Sequence, residues 1–190
     1  MNPPSPAIFL DRDGTLHHDA VYMIRFEDFH PLPGVEEALR ILQEAGYRLF
    51  GVTNQSGVAR GMFTLDQVIE LNDKIRHYFS EHGADIEEIA VCPHLPEGTV
   101  AQFARDCDCR KPKPGLLLDL ARRHNLDLSR SYMVGDMERD VLAGLAAGTR
   151  AVLIPPREMA RELDNTGRLK EFTTLLDFAN SVKSQHQRGF

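Results

Sequence analysis

The sequence predicts an α/β protein in three layers, a parallel β-sheet with helices on both faces. Three observations lead there. Short apolar runs alternate with longer amphipathic runs along the chain, and strand–helix–strand order builds parallel sheets. The first run, Ala7, Ile8, Phe9 and Leu10, is apolar at every position, as a strand covered on both faces must be. The 190 residues are 42% hydrophobic and 26% charged, an ordinary balance for one domain with a full core.

The elements follow in order. After the strand at 7–10 comes a helix over 33–46, opened by Pro33 and Gly34, with Val35, Leu39 and Leu42 on one face and Gly46 as its stop. A second strand covers 47–53. The long helix over 64–83 has Thr64 and Asp66 near its start and Gly83 after its end. Strands at 86–92, 131–135 and 151–154 are separated by helical patterns at 113–125 and 138–148. The stretch from about 181 to 190 reads as a frayed helix end and polar tail. The polar insert at 17–33 is too short to fold as a separate cap domain, so 1–190 reads as a single domain.

Bulk charge and composition exclude several classes. A net charge of −6 creates no field that gathers nucleic acid or an anionic membrane. The opening residues MNPPSP lack the basic and apolar regions of a signal peptide, and no apolar run is long enough to span a bilayer. A cytoplasmic location is expected and, with no long apolar stripe demanding a partner, a monomer. In that compartment the three cysteines, all within residues 92–109, read as metal ligands or redox groups sooner than as disulfides.

Ligands of parallel sheets collect at the carboxyl ends of strands, and four motifs of this chain follow strands. Asp11 and Asp13 come directly after the first. On extended backbone, positions two apart point the same way, and Gly14 permits a sharp turn. Two carboxylates so close need compensation, which magnesium supplies while taking other oxygens from phosphate. Thr53, Asn54 and Ser56 follow the second strand as uncharged donors, Arg110 and Lys111 bring fixed positive charge, and Asp136 and Asp140 follow the strand at 131–135. Taken singly, Asp11 to Gly14 could be a polar turn capping a strand. Together the four suit phosphoryl transfer. Asp11 is expected to attack phosphorus, and Asp13 to protonate the leaving oxygen and then deprotonate water. Thr53 and Lys111 are expected on the equatorial oxygens. Magnesium is expected on Asp11, Asp136 and the backbone carbonyl of Asp13.

DRDGT, VTNQSG, CRKPKPG and VGDMERD resemble, in order and spacing, the four motifs of the haloacid dehalogenase (HAD) superfamily of phosphatases. The resemblance covers about residues 7–154. It implies a Rossmann-like sheet and a phosphoric monoester hydrolase that works through an aspartyl phosphate.

Cys92, His94, Cys107 and Cys109 form two pairs, each spaced by one residue, separated by the twelve residues 95–106. Each pair can grip one ion from one side. Three thiolates and an imidazole leave no open position, so a closed structural zinc is expected. A core histidine, buried free thiols or a Cys107–Cys109 redox pair are the alternatives. Loop 92–109 has little apolar content, so the metal would order it and aim Arg110 and Lys111 at the phosphate.

Within the superfamily this zinc pattern resembles two related groups. One hydrolyses D-glycero-D-manno-heptose 1,7-bisphosphate at position 7, and the other hydrolyses histidinol phosphate. The length of the zinc loop, DRDGTL and TNQSGVARG resemble the heptose group. That implies a small sugar phosphate substrate, contacts from residues 19–22 and 53–56, among them Asp19, Tyr22, Asn54 and Ser56, and substrate recognition by Arg110. The chain departs from the group at Val21, commonly glycine, and at Met137, commonly lysine. Arg25, Arg60 and Lys113 are candidates for a second phosphate or are solvated charges. His17 and His18 follow the first motif and are either substrate contacts or, more simply, part of a solvated loop. A rival of another class is a catalytically silent, zinc-stabilised binding protein, which intact Asp11, Asp13, Lys111 and Asp136 argue against.

Overall fold

A computed structural model describes residues 3–19, 22–155 and 167–188. Its centre is a six-stranded sheet in the order β3-β2-β1-β4-β5-β6, parallel throughout. The strands are β1 (Ala7–Leu10), β2 (Arg48–Asn54), β3 (Ile86–Cys92), β4 (Tyr132–Gly135), β5 (Arg150–Leu153) and β6 (Leu169–Glu171). The helices are α1 (Val35–Glu44), α2 (Ser56–Ala59), α3 (Leu65–Glu81), α4 (Gly115–His124), α5 (Glu138–Ala147) and α6 (Leu175–Arg188).

Alternation along β1 divides the core. Ile8 and Leu10 pack with α1, α3 and α6 through Leu39, Ile75 and Phe178. Ala7 and Phe9 face the other way, onto α4 and α5 through Leu117, Leu120 and Ala143. A strand buried on both sides cannot carry polar residues on either, and β1 is buried at every position. The three layers are therefore those expected. Among the described residues no helix is long and apolar enough to cross a membrane.

Four differences from the expectation have physical causes. The turn α2 contains Gly57 and is a single short element beyond the reach of periodicity. The edge strand β6 is three residues long and only half-buried, so it lacks the apolar run that marks the others. The frayed tail from 181 is corrected: α6 runs to Arg188, and Val182 is 4% exposed and belongs to the core. Its polar residues are the solvent face of an amphipathic helix. The insert before α1, read as polar, contributes Met23 and Phe29 to the core beneath α3.

β1 lies between β2 and β4. The chain leaves it toward opposite sides of the sheet, which opens a crevice at its carboxyl end. Asp11 is the next residue.

Candidate active site

Lys111 lies at the centre of that crevice, with its side chain fully buried. Its ammonium stands 2.7 Å from Asp11 Oδ1 and 2.7 Å from Asp140 Oδ1, and donates to the Val52 carbonyl at 2.7 Å. Burial lowers its pKa, but Asp11 and Asp140 outweigh that and raise it above the ordinary lysine value, so the charge is fixed. Asn54 holds the backbone behind it: its Nδ2 donates to the Lys111 carbonyl at 3.0 Å and its Oδ1 accepts from the Lys111 amide at 3.1 Å. The Asn54 amide is thus used on the chain itself.

Asp11, Asp136 and Asp140 offer oxygens within 4.8 Å of one another. Burial pushes Asp11 up to about 7; Lys111 opposes this, and Asp140 and Asp13 add to it. Three carboxylates against one ammonium leave surplus negative charge, and oxygen-only donors suit a hard divalent cation. The residues present therefore fit magnesium. Gly14 has φ +80°, and a Cβ there would lie 2.6 Å from Asp136 Oδ2. Only glycine lets the turn after β1 approach the carboxylate after β4 so closely.

The Asp13 side chain faces a different set of groups. Arg12 forks onto it, with Nη2 at 2.9 Å and Nε at 3.2 Å from Oδ1. Gln55 Nε2 donates to Oδ2 at 2.7 Å, and the Thr53 hydroxyl donates to the same oxygen at 3.3 Å. His17 Nε2 is 3.2 Å from Oδ1. Burial alone would raise the Asp13 pKa, but the Arg12 guanidinium beside it holds it well below the usual carboxylate range. At rest it is the carboxylate, the form that accepts a proton from water. To carry a proton it must turn one oxygen out of the Arg12 fork.

The cysteine cluster is equally compact. Cys109 Sγ lies 3.2 Å from Cys92 Sγ and 3.4 Å from Cys107 Sγ, and Cys92 Sγ lies 3.6 Å from Cys107 Sγ. His94 Nδ1 is 3.2 Å from Cys109 and 3.8 Å from Cys92. Zinc–sulfur bonds of about 2.3 Å place the sulfurs of a tetrahedral site about 3.8 Å apart. The four donors fit such an ion after a small expansion. Cys92, Cys107 and Cys109 are free thiols, and contact with Cys92 and burial raise the Cys109 thiol far above its ordinary value. Burial and the nearby Arg105 lower the His94 pKa, favouring the neutral ring that ligates metal. Arg105 Nη2 sits 2.9 Å from His94 Nε2. A metal on Nδ1 puts the ring proton on Nε2, so Arg105 must then turn away.

Loop 92–109 has more support than its composition suggested. The amides of Thr99 and Val100 both donate to the Ala59 carbonyl of α2. Arg110 donates to the His94 carbonyl at 3.2 Å, and Lys113 pairs with Asp106 at 2.7 Å. Loop and second motif are therefore one packed unit, and Lys113 is engaged as a latch of the loop.

Of the expected site residues, Asp11, Asp13, Thr53, Lys111 and Asp136 converge. Ser56 opens α2, half-buried. Tyr22 is 39% exposed at φ 59°, its ring edge-on to Phe63 at 6.3 Å. Phe63 in turn lies against Gly57, where a Cβ would be 2.2 Å away, so Tyr22 borders the second motif. Asp19 is exposed; Val21 lies outside the described residues. Arg25 pairs with Asp28 in solvent, and Arg60 is exposed. His17 corrects the solvated-loop reading: it is 0% exposed, with Nδ1 donating to the His18 carbonyl at 2.7 Å. Arg12, Gln55 and Asn72 were not singled out in the sequence; Asp140 was, beside Asp136 after the strand at 131–135, but without a task of its own, which its contact with Lys111 supplies.

Comparisons with known proteins agree with this geometry. A family model described as HAD-hydrolase-like matches residues 108–164. The chain is 40% identical to the D-glycero-beta-D-manno-heptose-1,7-bisphosphate 7-phosphatase of Yersinia pestis, over 98% of this chain and 100% of that protein. It is 39% identical to the phosphatase of the same name from Escherichia coli K12, over 96% of each. The solved D,D-heptose 1,7-bisphosphate phosphatase of B. bronchiseptica, complexed with magnesium and phosphate, superposes with a TM-score of 0.80 at 30% identity, covering 95% of this chain and 99% of that one.

Proposed function

The chain belongs to the HAD phosphatase family of the D-glycero-beta-D-manno-heptose-1,7-bisphosphate 7-phosphatases, and from that membership we propose that it hydrolyses the 7-phosphate of this heptose bisphosphate. The observation that carries the reading is the Lys111 ammonium, 2.7 Å from both Asp11 and Asp140, with Asp136 in the same cluster. It ties together the tips of β1 and β4 and the segment that enters α4.

Asp11 attacks phosphorus through a carboxylate oxygen, forming an aspartyl phosphate as the bond to the sugar oxygen breaks. As the negative phosphate arrives beside it, Asp13 takes up a proton from solvent and gives it to that oxygen. It then takes one from the water that attacks the aspartyl phosphorus, which frees Asp11 and inorganic phosphate. Lys111 and Thr53 balance charge on the equatorial oxygens. Asp11, Asp136 and the Asp13 carbonyl would hold magnesium, which when bound would supply charge neutralisation at the phosphoryl group. Asp19, Tyr22, Asn54, Ser56 and Arg110 form the substrate rim, Asn54 by holding Lys111. Cys92, His94, Cys107 and Cys109 hold a structural zinc. The protein is read as a single-domain cytoplasmic monomer.

A panel of phosphate esters assayed for phosphate release with magnesium tests this. The heptose bisphosphate is expected to have the highest kcat/KM, and Asp11→Asn to lose at least about a thousandfold. A preference for histidinol phosphate overturns the substrate, and activity surviving in Asp11→Asn overturns the chemistry.

A further inference from the structure

We propose that Asn72 is a positioning residue for Asp13 and acts on it through Arg12, an inference that rests on Asp13 being the leaving-group acid. Arg12 is 1% exposed. Its Nε and Nη2 grip the Asp13 carboxylate, while Nη1 donates to Asn72 Oδ1 at 2.9 Å, from a residue sixty positions along the chain. A guanidinium is a rigid planar fork, so the direction fixed by Asn72 fixes the direction in which Asp13 is held. Without that anchor the plane pivots about its remaining contacts and carries the carboxylate with it, relative to Thr53 and Gln55.

A second observation is independent of the fork. Asn72 is 3% exposed and occupies a slot in the buried stripe of α3 with Val68, Leu71, Ile75 and Phe79. Its Nδ2 has no hydrogen-bond partner among the described residues. A buried amide with an unused donor costs stability that an apolar side chain would not. The contact with Arg12 accounts for an asparagine at that place.

The leaving group separates positioning from mere support. A sugar alkoxide needs a proton as its bond to phosphorus breaks, whereas p-nitrophenolate departs without one. kcat/KM ends at that bond-breaking step and is read for both esters. Asn72→Ala is expected to lower it about tenfold or more for the heptose bisphosphate and no more than about threefold for p-nitrophenyl phosphate. Asn72→Asp, which keeps an oxygen toward Arg12, is expected to recover most of the loss; Asn72→Ser gives the same split as alanine should alanine not fold. Equal losses on both esters, or no loss on the sugar ester, overturn the proposal. Asp13→Asn is run alongside. A split there with none in Asn72→Ala rejects the role of Asn72 alone, and no split in Asp13→Asn removes the acid and the proposal together.

Discussion

Lys111 and Asp11 are the pair on which the site's charge balance depends. Removing one member of a buried ion pair leaves the other uncompensated, at about 3–5 kcal/mol. Lys111→Met, similar in length but uncharged, is expected to lose about that much stability in magnesium-free denaturant titrations, together with activity. Unchanged stability would mean that the three carboxylates do not depend on it. The raised Asp11 pKa adds a pH dependence. A carboxyl whose pKa rises from 3.8 when unfolded to about 7 when folded favours the protonated native state. The magnesium-free protein therefore loses stability as pH rises through that window. Magnesium bound at Asp11, as proposed, would compete with the same proton. Its effect on Tm is expected to be larger at pH 8 than at pH 6, and equal shifts would remove Asp11 from the metal site.

At the scale of elements, the zinc loop and α6 make separate predictions. Cys107→Ser removes one of the four proposed zinc ligands. The protein is expected to retain less than one equivalent of zinc by metal analysis and to show a raised KM, because Arg110 donates to the His94 carbonyl and Lys111 follows it directly. The sheet should survive, since Thr99 and Val100 still bond Ala59. Full activity without zinc would separate the loop from the site. In α6, Val182→Ala is expected to cost about 1–2 kcal/mol by chemical denaturation, whereas a change at the exposed Gln185 should cost nothing measurable. No loss at Val182 would restore the reading of a loose tail.

Across the whole molecule, legibility followed the range of the interactions. β1 could be read because four consecutive apolar residues suit few other places, and the motifs could be read because each follows a strand. The partners of Asp13 could not. Nothing near Arg12 in sequence points to Asn72, since the contact exists only once α3 packs over the end of β1. His17 looked polar and exposed for the same reason; its burial beside Phe29 depends on how the insert folds back. β6 was too short to leave a pattern.

In the proposed reaction the tips of β1, β2 and β4, with Lys111, act on one phosphoryl group carried by Asp11. Acid quenching within the first turnover, with substrate radiolabelled at the 7-phosphorus, tests it by peptide mapping. The label is expected on the peptide containing Asp11 and absent from Asp11→Asn. Label on any other residue, or phosphate released by Asp11→Asn at the parent rate, would contradict it.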